Sequence, residues 1–67
     1  MKNRVKELRT AQGWSQAMLG DKLNVSRQSI IAIENGRFDP SLPLAFKIAR
    51  LLGEPIESVF QDEADEP

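Results

Sequence analysis

Apolar side chains recur along this chain at helical spacing, in several short runs. Val5 and Leu8 define a first stripe, Leu19 and Leu23 a second, Ile30 and Ile33 a third. Leu44, Ala45, Ile48, Ala49 and Leu52 make a longer fourth. Steps of three and four place each set on one face of a helix. The pattern predicts helices over residues 3–12, 16–23, 27–35 and 42–52. A last turn or two follows over 56–60, entered through Pro55, which suits a first helical position. No alternation long enough to predict a strand appears.

The residues between the stripes agree with these boundaries. Gly13, Gly36 and Gly53 stand where helices stop, and Ser15, Ser26 and Ser41 stand where hydroxyls cap the next ones. Asn24, between the second and third stripes, tolerates the left-handed conformation better than most residues. Trp14 is placed to pack on Leu19 across the Ser15 cap, and Val25 on Ile30 across Ser26, as hydrophobic staples. The expected fold is all-α, a compact bundle of five short helices. Its domain covers residues 1–61, and residues 62–67 form an acidic, frayed tail.

Composition narrows the function classes. Sixty-seven residues make one domain. Cysteine, histidine and tyrosine are absent, which removes thiolate metal sites, disulfides and the commonest general base. The chain is therefore expected to be no enzyme and to carry no cofactor, metal or small-molecule effector. No apolar run approaches the roughly 20 residues that span a bilayer, and Met1-Lys2-Asn3-Arg4 leads no signal-peptide core. A cytoplasmic protein with no membrane partner is expected. The net charge of −1 conceals an asymmetry. Residues 1–37 carry seven Lys and Arg against three acids, a balance of +4; residues 38–67 carry two against seven, a balance of −5. This suggests a basic working face and an acidic far end.

The most informative stretch is residues 16–33, QAMLGDKLNVSRQSIIAI. Two short helices meet at Asn24-Val25-Ser26, with Leu19, Leu23, Val25, Ile30 and Ile33 inward and the small Gly20 where the helices approach. So short a turn with that inward set predicts a steep crossing rather than an antiparallel hairpin. The N-terminal residues of the second helix then project outward, able to enter a major groove about 12 Å wide.

Several motifs agree in order: Arg9 followed by Gly13; Ser15-Gln16 to Leu19; Val25-Ser26-Arg27-Gln28-Ser29-Ile30; Glu34-Asn35-Gly36; and Pro40-Ser41-Leu42 leading into Leu44-Ala45-Phe46-Lys47-Ile48-Ala49. On these, residues 3–60 resemble the phage-repressor/Cro family of helix-turn-helix proteins, the Xre type. Small stand-alone repressors of bacterial operons, including the cytolysin-operon repressor type, are similar. Gly20 departs from the family's usual Ala, Asn24 from its usual Gly, and Met18 stands where a Glu would complete a capping box.

The resemblance implies a lambda-repressor-like domain that reads double-stranded operator DNA as a homodimer. Arg27 and Gln28 would reach base edges, Arg suiting guanine and Gln adenine. Ser26 and Ser29 lie beside them, and Ala32, one turn on, could meet a thymine methyl. Gln16 is expected on a phosphate beside the N-terminus of its helix, and Asn35, Arg37 and the backbone near Phe38 on phosphates across the groove. Phe38 could equally be a loop anchor, and Ile31 a lone exposed side chain. Arg9 and Glu34 are expected to form a partly buried ion pair that orients the recognition helix. Phe46, Leu51, Ile56, Val59 and Phe60 exceed what one small core needs and are expected at a two-fold interface. The competing reading is an antitoxin-like module that holds a protein partner with the same helices.

Overall fold

The computed structural model describes residues 1–61. The chain runs β1 (Lys2–Asn3), α1 (Val5–Ala11), α2 (Gln16–Leu23), α3 (Arg27–Glu34), α4 (Leu42–Leu52), α5 (Ile56–Val59) and β2 (Phe60–Gln61). The expected acidic tail of residues 62–67 lies outside the described residues.

Ser15, Ser26 and Ser41 each accept the backbone N–H three residues on, from Met18, Ser29 and Leu44. Each thereby satisfies a donor that the helix itself cannot. Asn24 ends α2 at φ 60°, ψ 41°, the left-handed conformation its side chain tolerates. Gly20 is required chiefly by the turn, with the start of α3 also close, the Arg27 N lying 3.5 Å from where a Cβ would stand. A Cβ there would come within 2.8 Å of the Val25 carbonyl, because the Val25 N–H folds back onto the Gly20 carbonyl at 2.9 Å.

The core is one cluster. Val5, Leu19, Ile30, Ile33, Ile48 and Val59 are its most deeply buried side chains, and Leu23, Ala45, Ala49, Leu52 and Phe60 complete it. Leu8, Trp14, Val25 and Leu44 pack against it partly buried. Lys22 lies over the Trp14 ring, its Nζ 4.6 Å from the centroid, which shields an aromatic face that would otherwise meet water.

Both ends of the fold differ from the expectation. The first helix begins at Val5 rather than at residue 3, because Lys2 and Asn3 pair antiparallel with Gln61 and Phe60. The Arg4 N–H extends this ladder to the Val59 carbonyl at 2.8 Å. Phe60 accordingly leaves the terminal helical turn and becomes strand. Strands of two residues have no periodicity to read. The Asn3 amide also donates to the Ile33 carbonyl at 2.8 Å while its Oδ1 accepts the Val5 N–H, so this pairing supports the end of α3.

Candidate nucleic-acid interface

The interface is built on the α2–turn–α3 corner. Ile30 and Ile33 are buried, which fixes the rotation of α3 about its axis. The same rotation leaves Arg27 and Gln28, in its first turn, exposed. Ser26 and Ser29 are committed locally. The Ser26 hydroxyl caps Ser29 N at 3.1 Å, and the two hydroxyls lie 3.0 Å apart. Ala32 is half-buried, and Ile31 is half-buried rather than exposed.

Beyond α3, Asn35, Arg37 and Phe38 are all exposed, so Phe38 does not anchor its loop in the domain. One expectation needs correcting. The N–H groups of Arg37 and Phe38 both point back to the Ala32 carbonyl, at 3.0 and 3.2 Å. They close the end of α3, so these two N–H groups are already engaged and are not free for a phosphate. The side chains of Asn35 and Arg37 remain outward.

Arg9 and Glu34 form a pair more buried than expected, with side chains only 8% and 3% exposed. Arg9 donates Nε to Glu34 Oε2 at 2.6 Å and Nη2 to Oε1 at 3.2 Å. Its Nη1 reaches the Trp14 carbonyl at 2.8 Å. This bidentate geometry is what makes a buried pair tolerable, since each charge replaces lost water with directed bonds. No buried side-chain nitrogen or oxygen lacks a partner among the described residues. Gln16, half-buried at the first position of α2, joins the pair by donating Nε2 to Glu34 Oε1 at 3.1 Å. No local pattern marks this third member, because α2 and α3 bring together residues 18 positions apart.

The residues expected at a two-fold interface divide into three groups. Val59 is fully buried within the chain and Phe60 nearly so; both belong to the core and offer a partner almost no surface. Leu51 lines a groove with Lys22, Leu23, Lys47 and Arg50, away from the other candidates. Phe46, 42% exposed, and half-buried Ile56 remain. Leu42, not among the residues expected at an interface, is 62% exposed four residues before Phe46 on the same helix face. With Met1, Pro40, Ala45, Ile56 and Phe60 it borders an apolar groove of about 210 Å³. No helix among the described residues is long and apolar enough to cross a membrane.

Comparison with known proteins agrees with this architecture. The helix-turn-helix family model matches residues 5–59. An uncharacterized HTH-type transcriptional regulator of Methanocaldococcus jannaschii is 54% identical over 66 residues, covering 98% of this chain and 100% of the relative. One of Bacillus subtilis is 50% identical over 60 residues, covering 90% and 91%. The crystal structure of a hypothetical transcription factor from Neisseria superposes with a TM-score of 0.73 at 28% identity, over 81% of this chain and 61% of that one. The chain belongs to the Xre/Cro-type helix-turn-helix family, among its small transcriptional regulators.

Proposed function

We propose that this protein is a cytoplasmic repressor that binds a short palindromic operator as a homodimer, with α3 in the major groove. The observation that carries the reading is the exposure of Arg27 and Gln28 on the leading edge of a helix whose opposite face is held in the core. Arg is suited to the O6 and N7 of guanine, and Gln to the N6 and N7 of adenine. Gln16, Asn35 and Arg37 contact phosphates on either side of the groove and fix the register. The Ser26 and Ser29 hydroxyls shape the first turn of α3 and reach DNA only by exchanging their mutual contact. Ala32 supplies a methyl, and Phe38 its ring.

The dimer forms through the face bearing Leu42 and Phe46 together with Ile56. A two-fold axis there sets two copies of α3 one turn of DNA apart, about 34 Å. Occupying a promoter with such a dimer excludes the transcription machinery.

Selection of bound sequences from a random duplex pool tests the reading. Enrichment of an inverted repeat with half-sites one helical turn apart is expected. Asymmetric sites would refute the two-fold arrangement. A complete lack of salt-sensitive duplex binding would refute DNA binding and favour the protein-interaction module.

A further inference from the structure

We infer that Glu34, besides pairing with Arg9, is a positioning residue for the DNA backbone contact, because it holds the Gln16 amide with one proton directed at the phosphate. The inference rests on the DNA-binding reading above.

Three observations meet here. The Gln16 Nε2 donates one proton to Glu34 Oε1 at 3.1 Å. Glu34 is itself clamped by two bonds from Arg9, and Arg9 by the Trp14 carbonyl, so the acceptor is held from several sides and almost fully buried. No other described group takes the second Nε2 proton.

The chemistry of the acceptor decides the outcome. An ionised carboxylate only accepts, so it selects the nitrogen end of the Gln16 amide and not the oxygen end. An unconstrained glutamine would present its carbonyl to solvent about as often as its N–H. A carbonyl facing a phosphate repels it. The two Nε2 protons lie in one plane, and fixing the first therefore fixes the direction of the second. Ser15 has already taken the Met18 N–H, which leaves the N–H groups of Gln16 and Ala17 as the donors without an intrahelical partner in the same first turn of α2. The ordering of a flexible side chain is thus completed on folding and not on binding.

The buried network consequently spans α1, α2 and α3. It sets both the seat of the recognition helix and the aim of a backbone contact at the start of α2. A change at Glu34 is felt by DNA of any sequence, since phosphates carry no sequence information.

Two measurements on the full chain test this. In the free protein, NMR should find one Gln16 side-chain amide proton exchanging with water markedly more slowly than those of exposed Gln12, Gln28 and Gln61. Exchange at the same rate would overturn the proposal, whatever the protein does with DNA. The second measurement is binding of a random-sequence duplex of about 25 base pairs, in which the Gln16→Met penalty is compared in two backgrounds. In the natural background the loss should be about tenfold, as for a hydrogen bond to a charged group. In Arg9→Met/Glu34→Met, where apolar side chains replace the pair, it should shrink below about twofold. An equal penalty in both backgrounds would mean that Glu34 has no part in aiming Gln16. A larger penalty without the pair would mean that Glu34 competes with DNA for the amide; either result overturns the inference. If the natural chain binds no duplex at all, the DNA reading itself fails while the exchange measurement still reports on the network. If the double variant does not fold, the exchange measurement alone decides.

Discussion

Arg27 stands at the positive end of the α3 dipole, where a cation is mildly disfavoured, and it has no acidic partner among the described residues. A ligand that is itself anionic and acceptor-rich gives such a residue its role. Arg27→Ala should weaken binding at the selected operator by about 1–3 kcal/mol and have a much smaller effect on random duplex, as read by parallel gel-shift titrations. Equal losses on both would assign Arg27 to the backbone instead. Glu34 behaves in the opposite way, being hidden and fully paired. Removing it by Glu34→Ala leaves the Arg9 charge buried without its carboxylate, and chemical unfolding should register a loss of about 3–5 kcal/mol. Replacing both partners with methionine should recover most of that loss. The pair was visible in the sequence as two residues at family positions. Its third member, Gln16, was not, because nothing in the local order around position 16 marks a contact with position 34.

At the level of elements, the corner between α2 and α3 depends on Gly20. The Val25 carbonyl occupies the space where a side chain would go, and backbone cannot yield as a side-chain tip does. Gly20→Val should destabilise by about 3 kcal/mol, measured as a shifted unfolding midpoint, through overpacking at the turn. The start of α1 is held differently. Arg4 donates to Glu7 at 2.7 Å, and that hydrogen bond, then the Arg4 charge, holds the Glu7 carboxyl below its ordinary 4.5. A depressed carboxylate pKa contributes stability above its unfolded value, and the contribution is lost as pH falls through the folded value. Glu7→Gln should therefore lower the melting temperature slightly at neutral pH. The difference from the natural chain should shrink as pH falls below about 4.5 and vanish once pH has passed through the lower folded value. The pair is exposed, so the effect is small. Helix bounds at α2 and α4 were legible because a cap, a stripe and a stop coincide there. The β1–β2 ladder was not, since two-residue strands at opposite ends of a sequence leave no periodic trace.

For the whole molecule, the question is what a second copy would cover. Phe46 and Leu42 present an apolar face larger than scattered surface residues need, continuous with the groove beside Ile56. Phe46→Glu should shift sedimentation to the monomer and weaken operator binding at least tenfold, while unfolding changes little because the side chain is outside the core. A natural chain that sediments as a monomer at all concentrations would remove this face from the proposed dimer. Val59 and Phe60 were expected to join it, and hydrophobicity alone could not separate them from Phe46. Burial did: β2 turns Phe60 inward as it pairs with Asn3, and α5 seats Val59 against the core. Leu51 falls outside the proposed face for another reason, being carried by helix rotation to the side of α4 that bears Lys47 and Arg50.

The amino-acid order by itself determined the five helices, the left-handed turn at Asn24, the inward set of α2 and α3, and which side chains stand at the tip of the third helix. These follow from spacing, capping and steric tolerance, forces that act within a few residues of one another. Tertiary structure alone decided which apolar residues close the core and which stay outside. It also decided which N–H groups at the end of α3 are already used, and that Gln16 is tied to Glu34. Those outcomes depend on groups far apart in sequence reaching the same small volume, where burial makes every donor find an acceptor.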